Sequence, residues 1–176
     1  RWTAPFADRL YVCLNNSYDG TADILRALQG EGLPLTLHDA GRARFDQSEL
    51  THRLIDDAAQ EVQPDWALPL DADEFLDCPD RDALERALQQ HGSRHARIAW
   101  VNHAPTDKDD WQEVNPIKRI RHRYEYPAPD PHHNVNAWKT VLNLSLLRPF
   151  QNRYRIANGN HFVQWRGIGR ESAQPN

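Results

Sequence analysis

The chain has 176 residues, 39% of them hydrophobic, which is enough apolar material for one globular domain with a packed core. A net charge of −4 excludes the global basic footprint of a nucleic-acid binder, and the cationic run IKRIRHR at 117–123 is a local feature. No apolar stretch is long enough to span a bilayer, and no signal-peptide pattern opens the chain.

Taken in order, ADRLYVCL (7–14) mixes β-branched, aromatic and aliphatic residues and predicts a buried strand. NNSYDGT (15–21) is dense in turn formers, with Gly20 free to take positive φ. TADILRALQG then predicts a helix with Ile24, Leu25 and Leu28 on one face and Gly30 or Gly32 as its stop. LTLH (35–38) predicts a second strand ending at Asp39. Asp46 stands three residues before Glu49, a capping-box-like start for a helix reaching about Val62. Beyond Pro64 a third strand is expected at 66–70, followed by a helix capped by Asp80 and running to His91. Its Leu84, Ala87 and Leu88 are expected to face inward, and RIAWVN (97–102) predicts the next strand.

This alternation implies a largely parallel α/β sheet with covering helices. After residue 103 the rhythm breaks, with strand-like runs near 117–123, 138–147 and 154–157 between loops such as APTDKDDW and YPAPDPHHN. No repeat or linker divides the chain, so a single domain over 1–176 is expected. The chain contains no Met and begins at Arg1, which predicts a piece cut or processed from something larger. Cys13 and Cys78 match no metal or redox spacing and point to a reducing, cytoplasmic compartment, compatible with peripheral association at the cytoplasmic face of a membrane.

The stretch WALPLDADEFLDCP (66–79) sets Asp71, Asp73 and Glu74 directly after an apolar run. Ligands of parallel α/β sheets bind beyond the carboxyl ends of the strands. In extended geometry Asp71 and Asp73 would share a face, and two hard oxygen donors suit Mg²⁺ or Mn²⁺. The alternative is that the acids are solvated loop charges or helix caps. A calcium EF-hand is excluded because the sixth loop position is Leu76, not Gly, and a dehalogenase-like phosphatase motif is excluded by Phe75.

Several segments together resemble the GT-A glycosyltransferases, specifically the family-2-like group in which a DxDEF segment follows an apolar strand. They are DRLYVCLNNSYDGTADIL (8–25), PDWALPLDADEFL (64–76), WKTVLNLSLLRP (138–149) and NGNHFV (158–163). The resemblance implies a GT-A (Rossmann-like) α/β fold, with a mostly parallel central sheet and flanking helices. It also implies a strand before DRLYVCL that residues 1–7 do not supply, so the domain is expected to lack its N-terminal strand. The implied activity is a hexosyltransferase-like transfer from a nucleotide-diphosphate sugar to a glycan-type acceptor, assisted by Mn²⁺ or Mg²⁺.

By the same resemblance, Asp71, Asp73 and His161 are implied as metal ligands, with Asp71 also near the donor ribose and Glu74 orienting the site or contacting sugar. Asp39, Asn15 and Ser17 are implied beside the nucleotide, and Lys139 beside the diphosphate. An inverting enzyme needs a carboxylate base, for which Asp107, Asp109 and Asp110 are the candidates, with His103 beside them. Trp100, Trp111, Tyr124 and Tyr126 could stack on sugar or pack the core. His132 and His133 read as exposed, and RGIG (166–169) is not a nucleotide fingerprint. Two other readings stay open: a sugar-nucleotide nucleotidyltransferase, which would want a Gly-rich phosphate loop not seen here, and a non-catalytic sugar- or nucleotide-binding remnant of the fold.

Overall fold

The computed structural model describes residues 3–41, 46–124 and 138–166. The chain is mixed α/β. Strands β1 (Leu10–Leu14) and β2 (Leu35–Asp39) form a parallel pair in the register Leu10↔Leu35 to Leu14↔Asp39. The crossover between them is helix α1 (Thr21–Gly30), as a parallel connection requires. Gly20 precedes α1 at φ +80°, and the Asp19 carboxylate accepts from both the amide and the hydroxyl of Thr21. The helix exposes Ile24, 62% accessible, while Leu25 and Leu28 are half-buried.

Helix α2 (Gln47–Glu61) begins where Asp46 caps the Glu49 amide at 3.1 Å, as the sequence predicts. Its Ile55 packs with Leu142, Leu144, Leu147, Tyr154 and Ile156, the centre of the core. Each fully buried side chain of this size contributes about 2 kcal/mol. The amino end of α2 docks on the chain around 156–160: Asn158 Oδ1 accepts from the Ser48 amide at 3.0 Å, and the Ser48 hydroxyl donates to the Ile156 carbonyl.

The expected mostly parallel central sheet is not what forms. Strands β3 (Trp66–Ala67) and β4 (His95–Ala99) run in the same direction, linked through helix α3 (Arg81–Gln89), as the alternating pattern demands. They do not pair. Strand β7 (Trp138–Asn143) lies between them, antiparallel to both, giving the order β3-β7-β4. Periodicity identifies strands but not which distant strand slots between two others. Among the described residues β1–β2 is the parallel pairing, and no strand joins it to the β3–β7–β4 sheet.

Several boundaries also move, for local reasons. The strand expected at 66–70 stops at Ala67, two residues before Pro69, whose ring nitrogen cannot donate to a ladder. The run near 97–102 divides into β4 and the short β5 (Asn102–His103). At 117–123, Asn115 caps the Ile117 amide and Pro116 opens a short helix, α4 (Pro116–Arg119), so the run yields as a strand just β6 (Arg123–Tyr124), pairing with β5. Asn143 likewise caps α5 (Leu144–Leu147) and ends β7. Strands β8 (Tyr154–Ile156) and β9 (Val163–Trp165) close the described chain as an antiparallel pair. Helix α3 keeps its Asp80 cap but buries none of its residues fully. No helix among the described residues is long and apolar enough to cross a membrane.

Candidate functional site

Strand β7 occupies the middle of its sheet, and alternation puts Lys139 and Val141 on the face opposite Thr140 and Leu142. The Lys139 side chain is only 7% exposed. An ammonium that deep must be paired to be tolerated. Its Nζ donates to Asp71 Oδ2 at 2.7 Å and to the Gly159 carbonyl at 2.9 Å, and lies 2.8 Å from Glu74 Oε1. Burial pulls the Lys139 pKa down, but hydrogen bonds and charges from Asp71 and Glu74 outweigh it and hold the pKa above the ordinary lysine value.

The acids converge because residues 71–74 form a turn instead of continuing the strand. The Glu74 amide donates to the Asp71 carbonyl at 3.1 Å, and the Asp71 amide donates to Glu74 Oε2 at 2.9 Å. The turn aims Asp71 and Glu74 at Lys139 and leaves Asp73 exposed, with no hydrogen bond or ion pair to the described residues. The shared face expected for Asp71 and Asp73 applied to an extended chain, and Pro69 has already ended that geometry. The carboxylate atoms are otherwise accounted for: Asp71 Oδ1 accepts from Gln47 Nε2 at 2.7 Å and from Asn160 Nδ2 at 3.4 Å.

His161 adjoins this cluster. Its Nδ1 is 2.8 Å from the Trp138 carbonyl, and the Trp138 indole donates to the His161 carbonyl at 3.0 Å. A carbonyl only accepts, so Nδ1 is the donor in that contact. The imidazole lies over Gly159, which sits at φ +79° with its α-carbon face against the ring. Trp100 stands beside both side chains, its ring centroid 6.0 Å from that of His161 and 5.6 Å from the Lys139 Nζ. Gln47 ties the cluster to α2, donating to Asp71 while accepting from the Gly159 amide at 2.8 Å.

Whether these residues fit the divalent ion that the resemblance implies is a question of charge and vacancy. Asp71 and Glu74 are already neutralised by an ammonium, and a divalent ion about 4 Å from it would be repelled by roughly 8 kcal/mol at an effective dielectric constant of about 20. Asp73 is exposed and takes no part in this ion-paired cluster among the described residues. Among the described residues no group of three His, Cys, Asp or Glu side chains is arranged to hold a metal ion. The arrangement does not fit an ion shared by Asp71, Asp73 and His161, and the ammonium is the reason.

The nucleotide-side residues lie elsewhere. Asn15 follows β1 directly and Asp39 ends β2, so both stand at the carboxyl end of the parallel pair. Asp39 Oδ1 accepts from the Gly41 amide at 2.7 Å, Asn15 Oδ1 is buried without a partner, and Ser17 is exposed. Among the described residues, no hydrogen bond, ion pair or ring contact connects this group to the Lys139 cluster. Of the base candidates, Asp109 accepts from the Thr106 amide and Asp110 from the Gln112 amide, so both build their own turn, while Asp107 is exposed. His103 Nδ1 faces the Ile120 carbonyl at 3.3 Å. Trp111 is exposed beneath the Arg119 guanidinium. Tyr126, His132, His133 and residues 167–169 of the RGIG run lie outside the described residues.

Sequence reasoning did not single out Gln47, Trp138, Gly159 or Asn160. Trp138, Gly159 and Asn160 fall inside the segments quoted for Lys139 and His161, and nothing local marks a helix-opening glutamine as a clamp. No protein-family model matches the chain, and neither a curated protein nor a solved structure matches it.

Proposed function

We propose that this chain is a glycosyltransferase of the GT-A type, or the larger part of one, taking a nucleotide-diphosphate sugar as donor and a glycan-type hydroxyl as acceptor. One observation carries the reading. The three segments that resemble the family separately, at 64–76, 138–149 and 158–163, meet through the contacts of Asp71, Lys139, Gly159 and His161, although Asp71 and Lys139 are 68 residues apart.

In the proposed reaction an acceptor oxygen attacks the anomeric carbon, the bond from that carbon to the diphosphate oxygen breaks, and the nucleoside diphosphate leaves with the electron pair. Asn15, Ser17 and Asp39 line the nucleotide side. Lys139 holds the acidic turn together by pairing with Asp71 and Glu74, and exposed Asp73 faces the donor. Of the three candidates for taking the acceptor proton, Asp107 is the one whose carboxylate is not spent on its own turn. No step is assigned to a divalent ion.

The test is release of nucleoside diphosphate from UDP-, GDP- and TDP-sugars, with and without a mixed glycan acceptor, each in Mn²⁺ and again in EDTA. Turnover that falls at least tenfold in Asp73→Ala is the expected result. No turnover of any donor under either condition would remove the reading. Binding without turnover would favour the non-catalytic remnant, which the two turn-bound acids already make the second reading.

A further inference from the structure

We infer that Lys139 is the resident cation of the acidic segment, excluding divalent metal ions from Asp71 and Glu74, and that its removal turns those carboxylates into a divalent-cation site. This goes beyond the proposed function and stands or falls independently of it.

The argument is an accounting of atoms. All three N–H bonds of the Lys139 ammonium have an acceptor within 2.9 Å: Asp71 Oδ2, Glu74 Oε1 and the Gly159 carbonyl. All four carboxylate oxygens are engaged as well, Asp71 Oδ1 by Gln47 and Asn160, and Glu74 Oε2 by the Asp71 amide. The shell around the ammonium is oxygen-rich, compact and anionic, which is what a hard divalent ion requires, but the protein has filled it with its own charge. Lys139 cannot readily swing away. It belongs to the central strand β7, where it pairs with Ile98 of β4, its side chain is 7% exposed, and Trp100 lies against the ammonium. Glu74, at 10% exposed, would be left buried and uncompensated if the lysine charge were lost. A cation from solution is the simplest replacement.

The experiment titrates Mn²⁺ alone into the wild-type chain, Lys139→Gln, Asp71→Asn and the Lys139→Gln/Asp71→Asn double variant, following free Mn²⁺ by electron paramagnetic resonance. Wild type should show only weak binding, unchanged by Asp71→Asn. Lys139→Gln should bind Mn²⁺ at least tenfold more tightly than wild type, and the double variant should lose that gain. Wild-type binding that Asp71→Asn weakens tenfold would overturn the inference, as would a folded Lys139→Gln chain with no gain. Should Lys139→Gln fail to fold, the comparison of wild type with Asp71→Asn decides whether the lysine excludes the ion, and Lys139→Met read the same way decides whether its removal opens the site.

Discussion

Lys139 and Glu74 form an ion pair 2.8 Å long in which the lysine side chain is 7% exposed and the glutamate 10%. Each charge is tolerable because of the other. Lys139→Met should therefore destabilise the chain by about 3 kcal/mol, the range for breaking one side of a buried pair. Adding Glu74→Leu to Lys139→Met should recover part of that loss, because the stranded charge is removed. Urea unfolding of the two variants against wild type measures both effects; a double variant no more stable than the single one would show that the stranded carboxylate is not the cost.

Gly159 has two reasons to be glycine. Its φ of +79° disfavours any side chain, and an added Cβ would fall 2.6 Å from Cδ2 of the His161 ring. The ring cannot yield without losing its hydrogen bond to the Trp138 carbonyl. Gly159→Ala should cost about 2 kcal/mol and shift the His161 ring resonances, read together from urea unfolding and nitrogen-15 spectra. An unmoved ring would contradict the packing described here.

Helix α3 buries none of its residues fully, so its amino-terminal cap carries unusual weight. Asp80 accepts from the Ala83 amide at 2.7 Å, and Asp80→Ala should cost about 1 kcal/mol, with early hydrogen exchange confined to residues 81–89.

Stability should depend on pH from both sides. Burial pushes His52 below the ordinary histidine pKa, against the opposing charge of Asp56; for His95, burial and then Arg97 push the same way. A histidine lowered in the folded state contributes stability above its unfolded value and loses it as pH falls through the folded one, so the acid limb should begin below about pH 6.5. Lys139 behaves oppositely. Its raised pKa gives stability that is complete below the unfolded lysine value, about 10.4, and is lost as pH rises through the folded value. Urea midpoints across the range test this, and His95→Gln should flatten the acid limb without touching the alkaline one.

How much of this was legible in the sequence follows from how local each signal is. Asp46 and Asp80 declare their helices because a cap acts within three residues. The parallel β1–β2 unit was legible from a strand, a glycine turn and a helix in succession. Insertion of β7 between β3 and β4 was not, since it depends on partners far apart in the chain. At the site, the acids and Lys139 were noticed separately, but their pairing needed the turn at 71–74, and Pro69 was the one local hint that the strand would not continue.

The most direct test of the account is nuclear magnetic resonance mapping of a nucleotide-diphosphate sugar onto the chain in EDTA. Adding UDP-, GDP- and TDP-sugars in turn should, for at least one donor, shift the amides of Asp71, Asp73, Glu74, Lys139 and His161 together with those of Asn15 and Asp39, saturably. Shifts confined to other surfaces, or none with any donor, would contradict it.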